Sequence, residues 1–367
     1  MTAMTDVQQR IQRHIDTLVD TGAETGVQVA VYQDGVLVVD AVAGTADRAA
    51  GRPLTSGTPI FGFSIGKNLA ATLAHVLVAR GFLDYDSRVT ELWPEFGANG
   101  KATATLRHVL THTVGLPAMP REIGPAELPD WSQVCAALAA AEPRWRPGAA
   151  TGYHSYTFGY LVGELARRAT GRPVHELLQE WITAPLGLEG QLYFAAPEKA
   201  LPDLAHLEQQ ASQWPAISDD GDAVLAPWES RPSADLGNDA EIRCADIPSV
   251  GTATAHGLAA MFDAFLRGEL VDAAQLGELS APAFEGTDQV FGNPARLALG
   301  FPIGRLGAPA EEASVAFGWP GGGGGYAYAD PARGVAFALM KNQLVPNFDT
   351  ALSVTAILAD HLDGKNP

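Results

Sequence analysis

The sequence has few cysteines and few basic residues, and each shortage excludes a class of protein. Its 367 residues include two cysteines, Cys135 and Cys244, which lack CxxC spacing and are too few for a disulfide framework or a four-ligand zinc site. The 24 basic residues are outnumbered by 42 acidic ones, and the formal charge of −18 would repel phosphate backbones and anionic lipid surfaces. We therefore expect neither a nucleic acid nor a membrane as partner.

Long apolar segments are also missing. No uninterrupted apolar stretch approaches the roughly 18 residues that a membrane-spanning helix needs. Residues 1–20 predict an amphipathic helix and lack the basic and then apolar pattern of a signal peptide, so we expect a cytoplasmic protein. With 47% hydrophobic and 18% charged residues, the composition is that of a globular protein, and its length favours two domains.

Apolar patterning predicts strands near both ends of the chain and helices between them. Two β-branched runs, 27–32 and 36–40, flank Asp34-Gly35 and predict a hairpin. A second hairpin is predicted at 326–329 and 335–340. Helical spacing is found in the segments 1–20, 64–80, 106–113, 131–141, 156–170, 174–182, 255–266 and 349–362.

This order of elements predicts an α/β protein of the α+β type, with one antiparallel sheet built from the N- and C-terminal segments. We expect residues 1–63 and 250–367 to form a sheet domain with flanking helices, and residues 64–249 to form a mainly helical domain. Periodicity fades at 190–249, where we expect an irregular insertion. A calcium site at 218–222 is disfavoured, because an oxygen cage needs more ligands in fixed register.

The sharpest chemical signal is the sequence GFSIGK at residues 62–67, which matches both G-x-S-x-G and S-x-x-K. Ser64 and Lys67 lie three residues apart at a helix start, so their Cβ atoms are about 5 to 6 Å apart and the amine can reach the hydroxyl. The helix N-terminus would stabilise an alkoxide or a neighbouring oxyanion. The chain has 19 Arg and only 5 Lys, and a desolvated lysine can lose its proton whereas an arginine cannot.

Two further segments carry residues suited to the same chemistry. Tyr153 stands just before a predicted helix, and a neighbouring ammonium would lower the pKa of its phenol and make a phenolate available as a proton shuttle. Five consecutive glycines, 321–325, precede a predicted strand and would let the backbone approach a ligand closely. Within this run the N–H of Gly322 is a candidate oxyanion donor.

These three elements, in this order and at these spacings, resemble the serine β-lactamase and penicillin-binding-protein superfamily. The resemblance is strongest to its class C-like branch, which includes the family VIII carboxylesterases. The resemblance extends to three further segments, GFLDYD at 81–86, LRHVLTHTVGL at 106–116 and PLGL at 185–188. It implies a β-lactamase/transpeptidase-like fold, with the active site in a cleft between the sheet domain and an all-helical domain.

The resemblance implies a role for each motif residue. Ser64 would be the acylated nucleophile, Lys67 and Tyr153 the pair that activates it, and the N–H groups of Ser64 and Gly322 the oxyanion hole. No metal and no organic cofactor is implied. Substrate contacts are expected from Ser155, Trp319, Gly321 and Gly323.

Two departures from the family pattern bear on the substrate. Ser155 stands where penicillin-recognising members usually carry an Asn that holds the acyl-amide group. Trp319 stands where β-lactamases place the Lys of K-T-G, so the cationic partner for a β-lactam carboxylate is missing. An indole at the rim of the site favours uncharged groups. The resemblance therefore implies a serine hydrolase that cleaves small carboxylic esters through an acyl-enzyme on Ser64.

Other functions stay open at this point. The same acyl-serine would serve an acyltransferase of small-molecule biosynthesis, a D-amino-acid peptidase or a weak β-lactamase. An α/β-hydrolase is disfavoured, because the required alternation of strands and helices is absent around Ser64. His108 and His112 lack a third metal ligand, so we expect structural roles for both. The sequence does not indicate an oligomeric state.

Overall fold

A computed structural model describes residues 2–209, 224–308 and 315–364 of the chain. The predicted loop at 218–222 lies outside these residues. The helices of the described residues are α1 (Thr2–Asp20), α2 (Gly66–Ala79), α3 (Val89–Leu92), α4 (Leu106–Leu110), α5 (Trp131–Ala140), α6 (Thr157–Thr170), α7 (Val174–Leu178), α8 (Pro227–Ser230), α9 (Ala234–Asn238), α10 (Ala240–Cys244), α11 (Ala255–Leu266), α12 (Ala273–Ser280) and α13 (Asp349–Leu362). Among them, none is long and apolar enough to cross a membrane.

The strands are short except in the main sheet. They are β1 (Gly26–Gln33), β2 (Val36–Asp47), β3 (Arg52–Pro53), β4 (Ile60–Phe61), β5 (Leu192–Tyr193), β6 (Glu208–Gln209), β7 (Thr252–Ala253), β8 (Phe284–Thr287), β9 (Pro294–Leu297), β10 (Tyr326–Asp330), β11 (Val335–Lys341) and β12 (Gln343–Leu344). Single turns of 3₁₀-helix occur at Phe63–Ile65 and Pro125–Glu127, longer 3₁₀ segments at Pro94–Gly100 and Glu198–Asp203, and a π-helical turn at Gln179–Thr183.

The main sheet joins the two ends of the chain, as predicted. Its strand order is β10-β11-β1-β2-β3, and all neighbours are antiparallel. Val29 of β1 lies opposite Leu339 of β11 on one side and Ala41 of β2 on the other. Asp34 and Gly35 have positive φ angles of 50° and 80°, which the tight β1–β2 turn requires. The predicted fold class is confirmed, an α+β protein with a terminal antiparallel sheet.

Helices cover both faces of this sheet. Alternate residues of a strand face opposite sides. Val29 and Val31 pack on one face with Ile11 of α1 and Val354 of α13. Ala30 belongs instead to the larger core on the other face, which includes α11 and the helices that follow Ser64. The division of the chain into two domains at residues 63 and 250 stays a prediction.

A buried ion pair connects the beginning of the sheet to the end of the chain. The Lys341 ammonium, at the end of β11, donates to the Glu24 carboxylate, which also accepts from the Thr350 hydroxyl of α13. Glu24 is 2% and Lys341 4% exposed. The pair therefore fixes the entry to β1 against both the C-terminal strand and the C-terminal helix.

Three local predictions differ from the structure. The helix predicted at 106–113 ends at Leu110, because His112 takes a left-handed φ of 56° that stops helical hydrogen bonding. The helix predicted at 174–182 ends at Leu178 and continues as the π-helical turn. The β8–β9 hairpin is missing from the prediction, because β8 is almost entirely exposed and carries no alternating apolar pattern.

Candidate active site

Ser64 lies on a strained turn that leads into α2. It is the central residue of the 3₁₀ turn Phe63–Ile65, and Phe63 has a positive φ of 48°, which is uncommon outside glycine. The turn is held against the segment before β7, since Gly62 N–H donates to Gly251 O at 2.8 Å. A Cβ atom on Gly66 would lie 2.1 Å from the Val250 carbonyl carbon. The position of Ser64 thus depends on close backbone packing that only glycine allows.

The three predicted catalytic side chains meet in one hydrogen-bonded group. Lys67 Nζ donates to Ser64 Oγ at 3.1 Å and to Tyr153 OH at 2.8 Å. Ser64 Oγ and Tyr153 OH are also hydrogen-bonded to each other. Lys67 Nζ lies 4.6 Å from the centre of the Tyr153 ring. A hydroxyl nucleophile therefore has two proton carriers within direct reach.

Burial changes the proton affinity of both partners. It lowers the pKa of Lys67 to about 7, against the opposing effect of the Glu229 carboxylate. It also raises the pKa of Tyr153 well above its usual range, although the hydrogen bond with Ser64 acts in the other direction. The expectation that a neighbouring ammonium lowers the pKa of Tyr153 is wrong, because loss of water on burial dominates and the Glu229 and Asp288 carboxylates act in the same direction. The arrangement provides an amine that becomes neutral as the pH rises through about 7, beside a protonated phenol.

The third predicted motif forms one wall of the site. Trp319 N–H donates to Asn68 Oδ1 at 2.8 Å, and Asn68 Nδ2 donates to Trp319 O at 3.2 Å. The indole Nε1 donates to Gly300 O at 2.6 Å, and the side chain is only 8% exposed. Trp319 is therefore a fixed part of the wall of the site. The sequence led us to expect this indole at the rim, and that expectation is wrong. Asn68 was missed, since its only signal is its position next to Lys67.

The glycines after Trp319 pack closely against the turn that carries Ser64. Gly321 N–H donates to Gly325 O at 2.8 Å, and a Cβ on Gly321 would lie 2.3 Å from Gly62 O. Gly323 has a φ of 93°, a conformation that side chains disfavour. Within the described residues, neither Ser64 N–H nor Gly322 N–H has an acceptor. Both N–H groups are free to donate to an oxyanion, and their role as an oxyanion hole stays a prediction.

A cavity of about 520 Å³ opens over these groups. All predicted site residues line it: Ser64, Lys67, Tyr153, Ser155, Trp319, Gly321, Gly322 and Gly323. Most of the remaining lining is apolar or aromatic and comprises Phe63, Tyr156, Leu225, Trp228, Pro232, Phe291, Val345, Pro346 and Phe348. A pocket of this size and character suits a small, largely apolar ligand with a few polar anchors.

Glu229 is the one acidic side chain among the described lining residues, and the sequence did not point to it. Its two carboxylate oxygens accept from Met119 N–H at 3.0 Å and Ala226 N–H at 3.1 Å. Its carbonyl oxygen accepts from Ser155 Oγ at 3.5 Å. Burial raises the pKa of Glu229 to about 7. No motif surrounds this residue, and it is far from Lys67 in the chain.

Aromatic and acidic neighbours fix the Tyr153 ring. His112 stacks on Tyr153 with ring centroids 5.9 Å apart and an interplanar angle of 11°. Its Nδ1 accepts from His154 N–H at 2.9 Å, and burial lowers the pKa of His112 well below its usual value. Asp288, which the sequence did not single out, accepts from Tyr153 N–H at 2.9 Å. His108 Nδ1 accepts from Thr105 N–H, so both histidines of the 106–116 segment have structural contacts.

Similarity to known proteins extends over most of the chain. Residues 11–361 match the family model described as Beta-lactamase. The esterase/beta-lactamase LipL of Mycobacterium tuberculosis is 34% identical over 337 residues, which cover 86% of this chain and 77% of LipL. A family VIII carboxylesterase structure has a TM-score of 0.87 at 28% identity and covers 97% of both chains. A penicillin-binding-protein homologue from Caulobacter crescentus has a TM-score of 0.83 at 33% identity and covers 98% of this chain and 97% of its own.

Proposed function

Because the chain belongs to the beta-lactamase family, as its motifs predict, and is a carboxylesterase-like hydrolase, we propose that it cleaves small carboxylic esters. The reaction passes through an acyl-enzyme on Ser64. The observation that carries the proposal is the contact of Ser64 Oγ with both Lys67 Nζ and Tyr153 OH at the base of an apolar cavity. We propose no cofactor for this reaction, because the steps need only proton transfer and a nucleophile.

Acylation follows from the positions of these atoms. Neutral Lys67 takes the Ser64 proton, directly or through Tyr153 OH, while Oγ attacks the ester carbonyl carbon. The resulting tetrahedral oxyanion accepts hydrogen bonds from Ser64 N–H and Gly322 N–H. The bond between the carbonyl carbon and the alcohol oxygen then breaks. The departing oxygen receives the proton from the Lys67 ammonium through the Tyr153 hydroxyl.

Deacylation uses the same groups in reverse. A water molecule in the place of the departed alcohol gives its proton to the Lys67 and Tyr153 pair and attacks the acyl carbon. A second tetrahedral oxyanion forms in the same hole and collapses, which releases the carboxylic acid. Ser64 Oγ recovers its proton as the acyl bond breaks, so the enzyme returns to its starting state.

The cavity lining supports an ester substrate over a β-lactam. Lys67 is the one basic side chain among the described lining residues, and its amine already contacts Ser64 and Tyr153. The indole N–H of Trp319 already donates a hydrogen bond to Gly300 O, so the side chain offers no donor to a substrate carboxylate. An anionic β-lactam would therefore enter without a cationic partner, whereas an uncharged ester gains apolar contact.

Turnover of p-nitrophenyl acetate and butyrate beside the cephalosporin nitrocefin tests the proposal. We expect fast ester cleavage, little loss of nitrocefin and a mass increase on Ser64 equal to one acyl group. Ser64→Ala should fold normally and lose ester turnover and the adduct. Ester hydrolysis at the wild-type rate in that variant would remove Ser64 as nucleophile.

Added alcohols separate hydrolysis from acyl transfer in the same assay. If water deacylates Ser64, methanol or butanol changes neither the release of p-nitrophenol nor the yield of free acid. Accumulation of the new ester in place of the acid would identify an acyltransferase. Efficient cleavage of nitrocefin or of a D-amino-acid amide, with slow ester turnover, would instead favour the β-lactamase or peptidase alternative.

A further inference from the structure

One wall of the catalytic cavity combines two aromatic rings with a carboxyl group. Tyr156 and Trp228 pack with ring centroids 5.0 Å apart and an interplanar angle of 48°. Glu229 follows Trp228 directly in α8 and is 9% exposed. All three line the cavity that contains Ser64. None of them has a part in the acylation and deacylation steps proposed above.

The Glu229 carboxyl has acceptor capacity left over. Each of its oxygens accepts one backbone N–H, from Met119 or Ala226, and a carboxylate oxygen can accept two hydrogen bonds. No basic nitrogen of the described residues lies within 4.0 Å of it. A nearly buried carboxylate is costly without a cationic partner. Because no cation of the described residues contacts it, a cationic group on a bound substrate would stabilise the ionised carboxyl.

We infer that Tyr156, Trp228 and Glu229 form a subsite for a positively charged group of the substrate, an ammonium or trimethylammonium. Aromatic faces attract such cations through the negative charge of the ring, and a neighbouring carboxylate adds a direct Coulombic attraction. The net charge of −18 draws cations toward the molecule as a whole. The inference rests on the proposed ester hydrolysis and specifies its substrate class as cationic esters.

Other titratable groups act on the same subsite. Lys67 of α2 opposes a substrate cation while it is protonated, and Arg144, which follows α5, adds a weaker positive effect on Glu229. The phenols of Tyr153 and Tyr156 stay neutral, because burial raises both pKa values well above 10. As the pH rises through about 7, Glu229 ionises and Lys67 becomes neutral, so selection of a cation strengthens.

Two esters of the same shape isolate the effect of charge. Butyrylcholine carries a trimethylammonium group, whereas 3,3-dimethylbutyl butyrate carries an uncharged tert-butyl group in the same place. Both need the same acyl transfer, so the ratio of their kcat/KM values cancels the titration of the catalytic base. We expect the wild-type enzyme to prefer butyrylcholine by about tenfold at about pH 8, with a smaller ratio at about pH 6.

Three variants assign the preference to this wall. Glu229→Gln keeps the shape but removes the charge, and we expect it to lower the ratio by about tenfold. Trp228→Leu removes an aromatic face and should lower the ratio by about threefold to tenfold. Glu142→Gln makes the same change of net charge at an exposed position and serves as the control, with the wild-type ratio.

The outcomes separate this inference from the proposed function. If neither ester nor any p-nitrophenyl ester is cleaved, the proposed function fails. If esters are cleaved with a ratio near one that neither Glu229→Gln nor Trp228→Leu changes, the subsite is wrong and ester hydrolysis stands. Should Glu229→Gln fail to fold, the Trp228→Leu ratio decides alone.

Discussion

Burial of the Lys67 amine is what allows this side chain to act as a base, and the Glu229 carboxylate moderates the effect. Burial lowers the pKa of Lys67 to about 7, and the carboxylate acts to raise it. Glu229→Gln removes the charge that favours the ammonium, so the acid limb of kcat/KM should move to lower pH. Relative to the maximum, activity at about pH 6 should increase.

The measurement is kcat/KM for p-nitrophenyl butyrate between about pH 5 and about pH 9, with Glu142→Gln as the surface control. The observed midpoint belongs to the coupled pair, because Lys67 and Glu229 both titrate near neutrality. An acid limb that stays in place, or moves to higher pH in Glu229→Gln, would contradict this electrostatic role.

Lys67 and Tyr153 should each be needed for fast acylation. Lys67→Ala removes the base, and Tyr153→Phe removes a proton carrier while it keeps the ring that stacks on His112. We expect acylation to slow by about 10²-fold to 10⁴-fold in each variant, as is usual when a general acid or base is lost. Single-turnover kinetics with p-nitrophenyl acetate measure the step, and wild-type acylation in either variant would remove that residue from the proposed pair.

Trp319 should govern the choice between ester and cephalosporin. Trp319→His removes the indole that fills the wall and offers a smaller ring that can donate to a carboxylate. The ratio of p-nitrophenyl butyrate to nitrocefin turnover should therefore fall. Circular dichroism checks that the variant still folds without the hydrogen bond from Trp319 Nε1 to Gly300 O. An unchanged ratio in a folded variant would show that this wall does not select against the carboxylate.

The start of α2 is positioned by backbone contact, and a single methyl group tests that packing. Gly66→Ala places its Cβ 2.1 Å from the Val250 carbonyl carbon, so the helix or the segment before β7 must move. We expect a loss of about 1–3 kcal/mol in the free energy of unfolding, together with a lower kcat. Urea unfolding and ester turnover measure the two effects.

Gly277 of α12 provides the matched control for this substitution. Nothing lies within 4 Å of a Cβ built on it. Gly277→Ala should raise the free energy of unfolding by about 0.5–1 kcal/mol, because alanine loses less conformational entropy than glycine in a helix. If Gly66→Ala behaved in the same way, close packing at the start of α2 would not be what positions Ser64.

Helices with clear caps and periodicity could be predicted from the sequence. The prediction at 255–266 matches α11, where the Thr254 hydroxyl accepts from Gly257 N–H and fixes the first turn. The prediction at 106–113 fails at its end, because the backbone of His112 is set by its packing against Tyr153 and Phe158 and not by local propensity. Tertiary contacts of this kind leave no periodic signal.

The residues of the site also fall into two groups, those that could be predicted from the sequence and those that could not. Ser64 and Lys67 belong to a short motif whose spacing alone brings their side chains together. Glu229 and Asp288 contact the site through folding of distant segments, and their neighbours in the sequence are unremarkable for any chemistry. Asn68 follows Lys67 directly, but its contact with Trp319 joins two segments far apart in the chain. The positions of Glu229 and Asp288 follow only from the assembled cavity, and so does the inward placement of Trp319.

The stability of the whole molecule should depend on the Glu24–Lys341 pair. Glu24→Gln removes the carboxylate to which the buried Lys341 ammonium donates, and we expect a loss of about 3 kcal/mol in the free energy of unfolding. The double variant Glu24→Gln, Lys341→Met removes the unpaired charge and should recover part of that loss. Urea unfolding of the wild type, Glu24→Gln, Lys341→Met and the double variant completes the cycle. Equal losses in Glu24→Gln and the double variant would argue against a role for the buried charge.

The pairing of β1 with β11 determines when the sheet can form during synthesis. Val29 is synthesised long before its partner Leu339, because most of the helical segments lie between them in the chain. The nascent β1–β2 hairpin must therefore wait with one edge unpaired, while the helices that follow Ser64 already have local partners. Slow translation or early termination before residue 335 would leave that edge open to other chains, which makes the unfinished polypeptide a natural client for chaperones.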